Sequence, residues 1–447
     1  MERIKILPDY VTFTKEEKES ALNCLEKNDT SIFVPGDLVK EFETKLADYL
    51  GSKHAIAVPN CTLALYATFQ SLGINPDDEV IVPNLTHASS IYPILMSGAK
   101  IKVCDFIPGS YNYDLEMLES LITKKTKFML VCYLYGMPLN IKEIKKICKN
   151  HNIILIEDAA QAFGTKVSNK YVGTYGDAGC YSFNDTKMLR IGEGGAVVTN
   201  DKKIHESIEH FRHVGEVFKA NMESSVSSNS TYGDLLFNGL SNDGRGLNLR
   251  PSPITFSTGL KRIDFIDKII NERRKKFKRY YYELSNIKGI NLIKNCNFNK
   301  LDQYAPIAYW IVLDKEMYDR NKVILGCINM GIPVGSFNYN TVIKNDYFKK
   351  FVKNKKDDLS DSQYIRDNSI FLPLYENITL EDVKKICKAF KYVIREYDKD
   401  NKDLFDEKVY DEEIVYFDGF YLMRWWDEHI IIYSYFSIRI ISSNINV

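Results

Sequence analysis

The sequence carries no excess charge of either sign: Lys and Arg total 59, and Asp and Glu total 59. That excludes a general nucleic-acid binder, whose affinity comes from surplus cations set against phosphate. One pocket that holds an anion is still allowed, because a few cations scarcely move such totals. No CxxC pair occurs, and the nine cysteines, an odd number, are scattered from 24 to 387. Neither a disulfide framework nor a zinc ribbon fits that spacing, so the thiols read as small buried apolar side chains. His210 and His213 lack a third ligand nearby, and no metal site is expected. No apolar stretch reaches the roughly 18 residues of a membrane span; the longest, Ile430 to Ile438, is far shorter. Met1 to Asp9 shows no apolar export region, and a cytoplasmic location is expected. GxSxG, P-loop and dinucleotide fingerprints are absent from the strand–turn–helix contexts that would give them meaning.

What is present is a chain of 447 residues, 45% hydrophobic and 26% charged, enough for a substantial core. Short Val- and Ile-rich runs recur at His54–Val58, Glu79–Pro83, Ile101–Asp105, Phe128–Leu134, Ile153–Glu157, Ala178–Phe183 and Ala196–Thr199. They lack clean alternation, which is the mark of strands buried on both faces. Helical patterns such as Leu63–Leu72 and Ile141–Lys149 separate the first five. Strands alternating with helices predict an α/β large domain with a mostly parallel, seven-stranded sheet, here bounded as residues 1–255.

The pattern changes after 255. Gly259 to Leu284 reads as one long connecting helix, and 256–396 mixes strands such as Ala308–Leu313 with a last helix, Leu380–Tyr397. Thr379 and Asp382 form a capping-box pattern for that helix. A smaller α+β domain is expected there. Residues 397–447 form an extra tail: a charge-rich stretch to Glu413, then aromatic and β-branched runs around Asp418-Gly419. Asp-Gly predicts a two-residue hairpin turn pairing Tyr416 with Tyr421 and Val415 with Leu422, and a third run from Ile430 to Ile441 extends it to a β-meander.

The chemistry concentrates between 156 and 195. Asp158 falls at the carboxyl end of a buried strand, where open α/β sheets bind ligands, and a carboxylate there needs a cationic or protonated partner. Lys187 follows beyond the next strand. A desolvated lysine has its pKa lowered and becomes nucleophilic. Lysine plus a strand-end aspartate is the pair that pyridoxal 5'-phosphate (PLP) chemistry requires: the amine for a Schiff base, the carboxylate to keep the pyridine nitrogen protonated. Taken singly, each is a surface charge or a turn residue. Their order and spacing argue otherwise. Asn60-Cys61-Thr62 opens a helix after a strand, and a helix N-terminus suits a phosphate.

With Glu157-Asp-Ala-Ala-Gln161, Gly176-Asp177, Ser182-Phe183, Lys187 and Gly192-Glu-Gly-Gly195 in order, the chain resembles the DegT/DnrJ/EryC1/StrS aminotransferases, sugar aminotransferases of the PLP-dependent, aspartate aminotransferase-like fold. The resemblance runs from about Asp9 to Lys391. It implies that Lys187 binds PLP as the internal aldimine and then shuttles the proton. It implies that Asp158 pairs with the pyridine nitrogen, Gln161 contacts the ring or its 3-hydroxyl, and Ser182 binds the phosphate with Thr62. Cys61 stands where the family usually has glycine, which closes the backbone approach somewhat. His87 occupies the place of the family's ring-stacking aromatic residue. Leu247-Asn248-Leu249-Arg250 matches an element that reaches into the partner subunit, so the resemblance implies a homodimer with composite sites, Asn248 touching phosphate and Arg250 lying close by. The Ser- and Asn-rich loop 216–243 before it suits a lid, and Arg245 is a candidate for a substrate phosphate against the plainer reading of a solvated arginine.

The activity implied is amino transfer from an amino acid, by family expectation L-glutamate, to a C3 or C4 ketone of a nucleotide-linked keto sugar. Relatives that dehydrate such sugars typically carry histidine in place of the lysine, and Lys187 argues against that branch. A cyclic non-nucleotide ketone of the aminocyclitol type is a rival acceptor. A non-catalytic scaffold is a rival of another class, opposed by the intact Lys187, Asp158 and Ser182.

Overall fold

The computed structural model describes residues 1–6, 13–31, 38–217, 241–242, 244–294, 297–354 and 359–397, and four strands between 415 and 442. Two helices that strand-like runs alone do not reveal, α1 (Lys15–Glu26) and α2 (Leu38–Leu50), come before the sheet. Then follow β1 (His54–Val58), β2 (Glu79–Pro83), β3 (Lys100–Cys104), β4 (Thr126–Cys132), β5 (Ile154–Asp158), β6 (Ala178–Ser182) and β7 (Gly195–Thr199). They form one seven-stranded sheet in the order β1-β7-β6-β5-β4-β2-β3. Helices α3 (Cys61–Ser71), α4 (Ala88–Leu95), α5 (Leu115–Ser120) and α6 (Ile141–Asn150) connect the first five strands. Only β7 runs against its neighbours; the other pairings are parallel. Successive strand residues enter different cores: Ile81, Met129 and Val131 join one buried cluster, and Val80, Val82, Phe128 and Leu130 the other. Two covered faces explain the unbroken apolar runs.

After α7 (Lys202–Arg212), the single helix expected from 259 to 284 is instead two: α8 (Pro253–Arg262) and α9 (Ile266–Leu284), with a 3-10 turn at Ile263–Phe265. Ile263, Ile266, Ile269 and Ile270 are all buried, so the apolar period runs straight through the break and hides it. Arg262, the last residue of α8, reaches both Glu17 (3.0 Å) and Glu376 (2.7 Å). A smaller antiparallel sheet of β8 (Ile290–Leu292), β9 (Ala308–Leu313) and β10 (Ser369–Pro373) follows, with α10 (Arg320–Asn329), α11 (Ser360–Asn368) and α12 (Leu380–Glu396). Thr379 and Asp382 make both halves of the capping box on α12.

The segment between α10 and α11 returns to the large sheet. Val342 N–H donates to the Asn84 carbonyl at 2.7 Å, and Ile343 N–H to Asn84 Oδ1 at 3.2 Å. The Asp105 carboxylate, just past β3, accepts the first-turn N–H groups of α11 at Asp361 (3.1 Å) and Ser362 (3.0 Å). These contacts bring Tyr339 to the carboxyl edge of the sheet.

In the tail, β11 (Val415–Phe417), β12 (Tyr421–Trp426), β13 (His429–Ser434) and β14 (Ser437–Ser442) form a four-stranded antiparallel meander. Phe417 pairs with Tyr421, Tyr416 with Leu422 and Val415 with Met423. The connection is therefore three residues long rather than two, and the expected Tyr416–Tyr421 and Val415–Leu422 pairings are each displaced by one. Three-residue connections also use glycine, so the dipeptide alone does not separate the two registers. The run from 430 to 441 makes parts of two strands instead of one. The Asp418-Gly419 turn, the charge-rich 398–413 stretch and the lid expected at 216–243, apart from 216–217 and 241–242, lie outside the described residues. No described helix is long and apolar enough to cross a membrane.

Candidate active site

Parallel strands leave their carboxyl ends at one edge, and three of them end here in polar or thiol residues: Cys132 on β4, Asp158 on β5 and Ser182 on β6. Asp158 is buried. Its Oδ2 accepts the Ser90 hydroxyl at 2.7 Å; its Oδ1 accepts the Ala160 N–H at 3.0 Å and the Cys61 thiol at 3.9 Å. Burial pushes the carboxyl above its ordinary range, and these donors together with the Lys187 charge offset only part of that rise. Its neighbour Glu157 is a separate, structural group. Glu157 accepts Tyr133 Oη (2.5 Å) and the N–H groups of Gly173 (2.8 Å) and Gly176 (2.6 Å), fixing the turn that leads into β6.

Asn60 caps α3, its Oδ1 accepting the Leu63 N–H at 2.9 Å. The N–H groups of Cys61 and Thr62 have no acceptor within the helix, and such donors at a helix end suit an anion. The first residue of β7, Gly195, pairs with Ser182 and lies against that end. A Cβ on Gly195 would meet the Asn60 carbonyl carbon and come within 2.7 Å of Cys61 N. The last glycine of the Gly192-Glu-Gly-Gly195 motif is thus required by close approach of strand and helix. Lys187 sits half-buried in the loop between β6 and β7, its N–H donating to Asn184 O at 2.8 Å. The same loop is braced by Gly192 N–H on Asp185 Oδ1 (2.7 Å) and Asn184 Nδ2 on Glu193 Oε1 (2.9 Å).

His87 is the N-cap of α4, with Nδ1 accepting the Ser89 N–H at 3.2 Å. Burial first, then the Lys187 charge, hold its pKa down at about 4. The imidazole is therefore neutral near pH 7 and offers an uncharged face. Its ring meets Tyr339 edge-on at 5.5 Å. Tyr339 Oη is buried without a hydrogen-bond partner among the described residues, and the Tyr339 carbonyl accepts Arg366 Nε at 3.0 Å. Gln161 Oε1 accepts the N–H of Tyr135, a residue in the left-handed region at φ 52°; this leaves the Gln161 amide nitrogen for other contacts.

Lys187, Asp158, Ser182, Cys61, Thr62, His87 and Gln161 therefore gather at one edge. The remaining candidates stand apart on the 244–250 segment, where Asn248 bridges to His213, Asn248 and Arg245 are exposed, and Arg250 is half-buried. Sequence reasoning passes over Ser90 and Tyr339. Ser90 has a faint signal, three residues past the His87 cap in a small-residue helix start; Tyr339 has none, since only the small domain's return brings it here.

The residues fit PLP: a donor-rich helix end for a phosphate, a buried carboxylate for a ring nitrogen, an amine for an aldehyde and a neutral ring for stacking. Solved structures agree on the architecture. An aminotransferase from Psychrobacter cryohalolentis superposes with a TM-score of 0.77 at 23% identity, covering 87% of this chain and all of that one. The fold is that of the PLP-dependent aminotransferases. Within that class the chain belongs to the DegT/DnrJ/EryC1/StrS aminotransferase family, whose pattern matches residues 12–391. It is 32% identical to the GDP-perosamine synthase of Escherichia coli O157:H7 over 310 residues, 69% of this chain and 78% of that protein. It is 25% identical to the GDP-4-keto-6-deoxy-D-mannose 3-dehydratase of Escherichia coli O55:H7 over 382 residues, 81% of this chain and 94% of that protein.

Proposed function

We propose that this PLP-dependent sugar aminotransferase moves an amino group from L-glutamate to the C4 ketone of a GDP-linked 4-keto-6-deoxy sugar. The observation that carries the chemistry is the placement of Asp158 and Lys187 at one sheet edge, close enough for each charge to act on its surroundings. The acceptor rests on the two relatives, whose names share a GDP-linked sugar.

When bound, PLP supplies an aldehyde that takes up amino groups and a ring that accepts an electron pair. The chain does the rest. Cys61 and Thr62 N–H groups, with the Ser182 hydroxyl, would hold the phosphate. Asp158, whose donors favour its ionised form against burial, would hold a proton on the ring nitrogen. The neutral His87 would cover the ring without adding charge, and Gln161 would offer its amide nitrogen to the ring's polar edge. Lys187 Nζ would be the amine that anchors the cofactor's aldehyde and, once free, the base that takes the proton from the donor's α-carbon. Asn248, exposed, and Arg250, half-buried, in one subunit are assigned to the site of a second. A primary amine at 187 supports amination over dehydration, because it can join an aldehyde covalently and an imidazole cannot do so stably.

The test is a mixture of purified protein, PLP and L-glutamate with a panel of 3-keto and 4-keto nucleotide sugars and aminocyclitol precursors. 2-Oxoglutarate should appear with the GDP-linked 4-keto sugar. No 2-oxoglutarate with any nucleotide sugar would reject the acceptor; release of a deoxy product without nitrogen would favour dehydration.

A further inference from the structure

Asp158 sits in surroundings that work against its charge. The titratable groups facing it are the thiols of Cys61, Cys132 and Cys180, the phenols of Tyr113 and Tyr339, and Lys187, the one cation among them. Burial raises every one of those thiols and phenols, so they stay neutral. Ionisation of Asp158 therefore depends on hydrogen bonds and on the Lys187 charge. On Oδ1 these are a backbone N–H and a long thiol contact; on Oδ2 it is the Ser90 hydroxyl at 2.7 Å. Ser90 is itself buried, and its oxygen lies 3.0 Å from Oγ1 of Thr86, also buried. With the Ser90 proton on Asp158, the bond between the two hydroxyls runs from Thr86 to Ser90; both hydroxyls also reach the Cys132 sulfur. Two hydroxyls in series polarise one another toward the carboxylate. Ser90 is also the third residue of α4, whose cap is His87. One helix start thus sets both the ring's cover and the carboxylate's support.

We propose that Ser90, backed by Thr86, is a positioning residue that keeps Asp158 ionised and aligned on the cofactor's ring nitrogen. This rests on the role given to Asp158 above.

Ser90→Ala, Ser90→Thr and Thr86→Val test it. PLP affinity is read by titrating apoprotein, and the loaded enzymes are compared by the pH midpoint of the bound cofactor's visible band and by kcat and KM for glutamate. A hydrogen bond to a charged group lost from Ser90→Ala should weaken PLP binding about tenfold and lower kcat about tenfold, with KM little changed. The visible-band midpoint should rise by about one pH unit, because a ring with less positive charge lets the Lys187 nitrogen keep its proton longer. Ser90→Thr should restore affinity and midpoint, and Thr86→Val should shift the midpoint in the same direction by less. Ser90→Ala with wild-type affinity and midpoint overturns the proposal. If Ser90→Ala does not fold, an unchanged midpoint in Thr86→Val overturns it. A wild-type protein that binds no PLP rejects the Asp158 role and this proposal together; normal binding with unaltered variants rejects Ser90 alone.

Discussion

Replacing Glu157 with Gln should destabilise the protein by about 2–3 kcal/mol, although the two side chains have nearly the same shape. The carboxylate is completely buried and uses both oxygens as acceptors: Oε2 for Tyr133 Oη and Gly173 N–H, Oε1 for Gly176 N–H. An amide has only one acceptor oxygen. Its best placement keeps the pair on Oε2 and turns its own NH2 toward Gly176 N–H, leaving a buried donor facing a donor. A lost charge-assisted bond is worth about 1.5–3 kcal/mol and the orphaned N–H about 1–3 kcal/mol, offset in part because no charge is buried any longer. The pH dependence adds a sign. Burial raises the Glu157 carboxyl. A raised folded pKa gives stability that is present below the ordinary carboxylate range and is lost as pH rises through the raised value. The gap between wild type and Glu157→Gln should therefore be widest at acid pH and narrow upward. Urea unfolding followed by tryptophan fluorescence between pH 5 and about 8 measures both effects. A cost below about 1 kcal/mol, or a gap that widens with pH, would refute the reasoning.

Other outcomes follow from the same site. Lys187→Ala should abolish the visible band of bound PLP and all transamination; a band that persists refutes the assignment of the lysine. His87, held at about 4 against an ordinary value of 6.5, must take up a proton on unfolding. Stability should then fall as pH drops through that window, by about 3 kcal/mol in all, and His87→Phe should flatten this part of the pH–stability curve. Truncation after residue 397 should leave the visible band intact, because the family match ends at 391; loss of the band would make the meander part of the cofactor domain.

The large sheet was legible because buried parallel strands leave apolar runs that no loop imitates: all seven appear within a few residues of where the runs lie. The strand-end Asp158 and the helix opening at Asn60-Cys61-Thr62 were legible for a related reason, since each depends on what precedes it along the chain. Three features were not. The break at Ile263–Phe265 leaves the helical period intact. The tail register hinges on one residue of turn length that Asp-Gly does not fix. Ser90 lies 68 positions from the carboxylate it supports. Its part depends on α4 folding across the end of β5, a relation between segments that no local pattern carries.

The thiols around Asp158 have a consequence for chemoselectivity. Free cysteines trap aldehydes, and Cys61, Cys132 and Cys180 all lie beside Asp158, where an aldehyde cofactor would sit. The attacking species would be a thiolate, and burial holds all three sulfurs in the thiol form. The apolar packing that makes Asp158 costly to ionise thereby silences its rival nucleophiles, so the aldehyde is left to the one amine of the loop.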